Sequence, residues 1–411
     1  MERFFKNPHT LLSKRESPLG PYIDEFAQQL CEQGYSRQYA RRRLQLVAEL
    51  SQWLRHQDLV VSDLTSMHLE SYLEFRARSR RTRPGDAASL KIFLELLQQK
   101  NLVVAPVEFV EKTPIDKLQD EFSLYLQRER VLAPTTVIRY ASFAKELLKH
   151  RFGIGPVNLS LLSAADVIDF VRRCASSLAR KQAKLMTTAV RSFLQYARYR
   201  AYIRADLAAC VPCVADWSSA SLPKSLPLKH VKGVLASCNR KTAIGRRDYA
   251  ILLLLARLGV RAREVVSLGL EDIDWEAGYL TVRGKGDRSA QLPLPADVGK
   301  AIAAYLKNGR PRSKSRCVFL RGHAPAFSFK GSQAVSTVVR HALARAGIRC
   351  PRKGAHQFRH TLATEMLRQG ASLAEIGELL RHRHPQTTSI YAKVDLPSLR
   401  TLALPWPGGT R

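Results

Sequence analysis

Apolar residues recur with a helical period along most of the chain. Phe26, Leu30, Leu44, Val47, Leu50 and Leu54 recur at helical intervals, and a second set, Leu69, Tyr72 and Leu73, begins after Leu64-Thr65. A Pro84-Gly85 break precedes a further helix with Leu90, Phe93, Leu94 and Leu97 on one side. From about Pro114 the plan repeats. Phe122 and Leu126 open it, and Thr135-Thr136 is expected to cap a helix carrying Tyr140, Phe143 and Leu147. Leu64-Thr65 is matched by Leu162-Ser163, 98 residues on, and at that offset Leu69, Tyr72 and Leu73 are answered by Val167, Phe170 and Val171. Leu90, Phe93 and Leu94 return as Val190, Phe193 and Leu194 at an offset of 100. The pattern predicts two small helical modules on one template.

Prolines and serines between Cys210 and Pro227 mark a linker, and beyond it the period changes. Asp248–Leu258 reads as an apolar helix. Tyr279–Val282 reads as a strand, Arg283-Gly284-Lys285-Gly286-Asp287 as a turn, and Ala290–Leu294 as a return strand. Helices resume over Asp297–Leu306, Ser332–Ala346, Gln357–Gln369 and Leu373–Leu380. The predicted class is mainly α: helical modules followed by a mixed α+β domain with a small antiparallel sheet.

Length and charge sharpen this picture. The 411 residues suffice for two or three domains, and 66 Lys and Arg against 35 Asp and Glu leave a formal net charge of +31. Such a field attracts a polyanion, and neutralising backbone phosphates releases their counterions, so double-stranded DNA is the expected partner. Basic runs such as Arg76–Arg81 and Arg172-Arg173 are either solvated faces or DNA contacts. The N-terminal stretch lacks the apolar core of a signal peptide, and the longest strongly apolar run, Ile251–Ala256, is far short of a membrane span. Seven cysteines form no regular framework, and Cys210 and Cys213 have no second ligand pair. Reduced thiols, cytoplasmic residence and no membrane follow as expectations.

Three clusters in the last block carry candidate chemistry. They are Gly259-Val260-Arg261-Ala262-Arg263-Glu264; Lys285 between two glycines; and His356-Gln357-Phe358-Arg359-His360 with Leu380-Arg381-His382 and Thr387-Thr388-Ser389-Ile390-Tyr391. Singly, each has a plain reading: Arg261 as a solvated helix-start residue, Lys285 as an exposed turn cation, Tyr391 as a core aromatic. His382 and His384 are flanked by Arg381 and Arg383 and lack a nearby acidic or thiol ligand, so no metal is expected.

Together, in this order and spacing, the clusters resemble the tyrosine recombinases, or phage-integrase family. That family carries Gly-Leu-Arg-x-x-Glu-Leu, a hairpin lysine, His-x-Leu-Arg-His, Leu-Gly-His and Thr-Thr-x-x-Tyr. The resemblance implies a site-specific recombinase of a mobile element, with Tyr391 as nucleophile and Arg261, Arg359 and His382 on the scissile phosphate. It further implies His356 in acid/base assistance and Lys285 protonating the leaving 5′ oxygen, with no cofactor or ATP. Glu264 and His360 are expected to support these residues. The chain departs from the pattern at Arg381, where the family has glycine.

The expected domains are an extra helical module open to DNA binding (1–105), a helical SAM-like core-binding domain (113–207), a linker (208–226), the catalytic domain (227–392) and a tail (393–411). The tail could dock on a neighbouring protomer or on its own domain. The resemblance implies a homotetramer on two duplexes, with related recombinases or accessory DNA-bending proteins as further partners. The alternatives are an inactive DNA-binding descendant of the family and a type IB topoisomerase-like enzyme.

Overall fold

The computed structural model describes residues 1–411 except 3, 6, 80–82, 84, 105–111, 154, 215–224, 285–288, 395–398 and 400–411, and except the side chains of 8, 10 and 13. The chain forms two compact units, Met1–Pro106 with Leu222–Arg411, and Val107–Ser221. Among the described residues no helix is long and apolar enough to cross a membrane.

The first module contains α1 (Pro8–Arg15), α2 (Gly20–Glu32), α3 (Arg37–His56), α4 (Ser66–Ser79) and α5 (Asp86–Gln99). Helix α1 was not legible in the apolar pattern because it is short and basic; Asn7 caps it by accepting from the His9 N–H at 2.9 Å. The periodic residues make the core: Phe26, Leu30, Leu44, Val47, Leu50 and Leu54 are fully buried, and Leu90, Phe93 and Leu97 close over them. Gly85 starts α5 at φ 102°, a left-handed conformation that a Cβ would strain.

The second unit contains α6 (Pro114–Arg128), α7 (Pro134–Phe152), α8 (Ala164–Ser177) and α9 (Arg180–Tyr199). One expectation needs correcting. Thr135-Thr136 does not cap α7, which begins at Pro134 after Ala133 with no side-chain cap. Proline at the first helical position has no N–H to leave unpaired, and its fixed φ starts the turn itself.

The internal repeat is visible in space. Short 3₁₀ turns at Val61–Asp63 and Leu159–Leu161 precede α4 and α8, which are both 14 residues long. Each module has an edge-on phenylalanine pair at its centre. Phe26–Phe93 has ring centroids 5.1 Å apart at 69°, and Phe122–Phe193 has 5.2 Å at 80°. Such pairs contribute ~0.5–1.5 kcal/mol beyond area burial.

The C-terminal domain contains α10 (Leu228–Ala236), α11 (Ala243–Leu258), α12 (Ala262–Ser267), α13 (Ala296–Asn308), α14 (Gln333–Arg345), α15 (His356–Arg368), α16 (Leu373–Leu379) and α17 (Pro385–Thr388). Its antiparallel sheet runs in the order β1 (Ile273–Asp274), β2 (Tyr279–Arg283), β3 (Ser289–Pro293). The register pairs Leu280 with Leu292 and Arg283 with Ser289. Helix α11 is the core element: Ala250–Leu255 are all buried, which its unbroken apolar run requires. The first module joins this domain through Ala326 N–H donating to the Gln33 carbonyl at 2.9 Å and a Lys314–Glu32 ion pair at 3.1 Å.

Candidate active site

Helix α11 ends at Gly259, whose φ of 57° turns the chain into Arg261 at the start of α12. A Cβ at Gly259 would lie 2.9 Å from Leu380 and 3.0 Å from Leu362, so the close approach of α15 and α16 also requires glycine there. Arg261 is the N-cap of α12. Its N–H donates to Glu264 Oε2 at 2.7 Å, and its Nη1 donates to Glu264 Oε1 at 2.9 Å. Glu264 is only 2% exposed and is paired on its other side by Arg381 Nη2 at 2.8 Å. One buried carboxylate therefore holds two guanidiniums.

Arg359, on the first turn of α15, is buried. Its Nη1 donates to the Gly259 carbonyl at 2.6 Å, and its Nη2 donates to the Leu380 carbonyl. Arg261 Nη2 donates to the next carbonyl, that of Arg381, at 3.2 Å. Both arginines are thus anchored on the C-terminal end of α16, where helix carbonyls lack internal partners. Burial, then the neighbouring Arg261 and Arg381, lowers the Arg359 pKa to about 10, which still leaves it charged at neutral pH.

The geometry of Arg381 accounts for the departure from the family pattern. After α16 the Arg381 N–H donates to the Glu378 carbonyl and the His382 N–H to the Gly377 carbonyl, both at 2.9 Å. These two bonds form a Schellman closure, which needs a left-handed residue where Arg381 sits, and its φ is 54°. Glycine fits that position without strain; arginine costs ~1–2 kcal/mol there. Its side chain turns back to Glu264, so the His382 backbone keeps its place.

His382 Nδ1 lies 2.7 Å from Thr388 Oγ1, and its ring stacks parallel to Tyr391 with centroids 6.5 Å apart. Tyr391 stands in a 3₁₀ segment, Ser389–Val394, that follows α17. It is 1% exposed and packs with Ala363, Ile376 and Leu380, its hydroxyl 3.0 Å from His360 Nδ1. Burial raises the phenol pKa, and Arg359 opposes that rise. His360 and His382 are each lowered to about 4 by burial first and cationic neighbours second, and His356 is lowered for the same reasons. All three imidazoles are neutral near pH 7.

Of the residues singled out from sequence, Arg261, Glu264, His356, Arg359, His360, His382 and Tyr391 gather at this one locus. Lys285 lies outside the described residues, as do most residues of the tail; the strand pair flanking the lysine, Arg283 with Ser289, is described. Sequence reasoning missed the Arg381–Glu264 pair and the Thr388–His382 contact. An arginine in place of glycine hides the helix end that would have signalled the first, and no sequence signal points to the second.

Comparison with known proteins shows the family of the chain. Residues 224–396 match the phage integrase family, and residues 120–201 match the phage integrase N-terminal SAM-like domain. The chain is 48% identical over 409 residues, 99% of either chain, to the "Putative integrase/recombinase y4rA" of Sinorhizobium fredii. Two solved structures share its fold. XerH recombinase in a post-cleavage complex with difH DNA has a TM-score of 0.56 at 18% identity, covering 83% of this chain and 97% of that one. A lambda integrase tetramer on a Holliday junction has a TM-score of 0.54 at 14% identity, covering 76% and 88%.

Proposed function

The chain belongs to the tyrosine recombinase, or phage integrase, family and carries out site-specific DNA recombination; from that premise we propose which of its residues perform each step. Tyr391 Oη attacks the scissile phosphorus, forming a tyrosyl phosphodiester as the bond to the 5′ oxygen breaks. Arg261 and Arg359 donate to the nonbridging oxygens, where negative charge builds in the transition state, and His382 adds a third donor. Lys285 gives a proton to the leaving oxygen, and neutral His356 assists the proton transfer from the phenol. Attack by a 5′-hydroxyl of the partner duplex reverses the ester exchange and frees the tyrosine. One ester replaces another, so no ATP is consumed.

The observation that supports this reading is the convergence of Arg261, Arg359 and His382 beside Tyr391, from four separate helices and loops. Glu264 orients Arg261 and Arg381, and His360 holds the phenol. We assign 113–207 to core binding of double-stranded DNA, 227–392 to catalysis, 208–226 to a linker and 393–411 to a tail contacting a neighbouring protomer. Because each duplex must be cut on both strands, the active assembly is a homotetramer around two duplexes, acting for a mobile element in the cytoplasm.

The test is denaturing electrophoresis of protein incubated with nicked duplexes from the DNA flanking its own gene. Wild-type protein should give a covalent adduct, and Tyr391→Phe should give none while keeping DNA affinity. An adduct persisting in Tyr391→Phe assigns the nucleophile elsewhere.

A further inference from the structure

Residues 1–119 fall outside both family matches, yet the first module has the helix plan and the crossed phenylalanine core of the matched second one. We propose that this first module is a second DNA-binding copy of the same fold, gripping duplex backbone phosphates in an arginine-lined groove beside α3. The proposal rests on the reading of the second module as a DNA-binding domain.

The groove has a volume of about 840 Å³, and Arg41, Arg42 and Arg43 of α3 line it together with Arg76, Glu49 and Asp86. The two carboxylates are engaged: Arg76 Nε lies 3.1 Å from Glu49 and its Nη1 2.9 Å from Asp86. Arg41, Arg42 and Arg43 lie over aromatic rings instead. Arg41 lies 5.4 Å from the Phe5 ring centre, Arg42 5.9 Å from that of Tyr39, and Arg43 4.0 Å from that of Tyr35. Among the described residues none of the three forms an ion pair, and Arg43 Nη1 is buried without a hydrogen-bond partner.

A guanidinium set over a ring keeps N–H groups that no carboxylate takes up, and the exposed Arg41 and Arg42 can donate theirs to phosphate oxygens. Three successive cations without counter-charges repel one another, and an anion with closely spaced charges relieves that repulsion. Duplex DNA is such an anion, and the chain's net charge of +31 draws it in. Contacts made to phosphates in this way add affinity without reading sequence.

The test uses the full-length chain with Arg41→Gln, Arg42→Gln and Arg43→Gln together, and duplex DNA carrying its mapped recombination site. Affinity is measured between 50 and 200 mM salt. The slope of log affinity against log salt should fall by about two to three, since each phosphate contact contributes about 0.9. A loss of two positive charges outside the groove, Lys91→Gln with Lys100→Gln, should leave the slope unchanged. If the triple variant melts early, Arg42→Gln alone should lower the slope by about one. An unchanged slope overturns the proposal, as does an equal fall in the lysine control. A variant that alters only self-association overturns it too, since the groove would then face protein. Adduct formation by wild-type protein reports the catalytic reading separately.

Discussion

Arg359 and Tyr391 are both almost fully buried, at 4% and 1% exposed, yet different forces hold them. Arg359 is tied to two backbone carbonyls, those of Gly259 and Leu380, and Arg261 to a carboxylate and a third carbonyl. Tyr391 has apolar neighbours and one hydroxyl contact, on a short 3₁₀ segment after a four-residue helix. The side proposed to bind phosphate is therefore fixed by directional bonds between helix ends, whereas burial holds the proposed nucleophile. Charge stabilisation must be preorganised to lower a barrier, because dipoles that reorient during reaction return much of the gain. A nucleophile must instead move, since it becomes bonded to DNA and is later released.

Substitutions on the two sides should separate these roles. Arg261→Gln should slow covalent cleavage by about 10²–10³, the effect of losing one transition-state donor, with little change in melting temperature. Arg359→Met should slow cleavage at least as much and also lower the melting temperature, because two buried carbonyls are orphaned at ~1–3 kcal/mol each. A wild-type melting temperature in Arg359→Met would show that these carbonyl bonds do not anchor the site.

A smaller effect is expected one step back from the phosphate. Arg381→Gly relieves ~1–2 kcal/mol of left-handed strain but leaves Glu264 to Arg261 alone. That carboxylate then competes harder with phosphate for Arg261. Single-turnover cleavage should slow about tenfold, a loss of ~1.4 kcal/mol, while the melting temperature stays close to wild type. Cleavage at the wild-type rate would reduce Arg381 to a tolerated substitution.

A separate effect concerns pH. His360 and His382 have folded pKa values of about 4 against an ordinary 6.5, so between those limits the unfolded chain binds protons that the folded chain does not. Their contribution to stability is complete above about pH 6.5 and is lost as pH falls toward 4. Melting temperature should fall over that window in the wild type and fall less in a His360→Gln, His382→Gln double variant. Equal slopes would show that other groups dominate.

Much of this was legible beforehand because it rests on local patterns. The apolar period located α2 to α5, the hairpin and the helices around the site, since burying one helix face repeats every three to four residues. Helix α1 and the start of α7 were missed or misread. The first has too few apolar residues to register, and at the second a proline's fixed φ starts the helix without a capping hydroxyl. The candidate residues for chemistry were also readable as residue types and spacings, and seven of them meet at one locus.

The sequence alone determined the family, the helical repeat, the positive field and which side chains are available for chemistry, because these depend on residue identity and short-range spacing. Only the tertiary structure decided that the carbonyls at the end of α16 receive both arginines, that Arg381 shares Glu264, and that His360 rather than solvent meets the phenol. Those contacts join residues 21 to 120 positions apart, or hang on one left-handed backbone angle, and they arise only when separate helices pack their ends together.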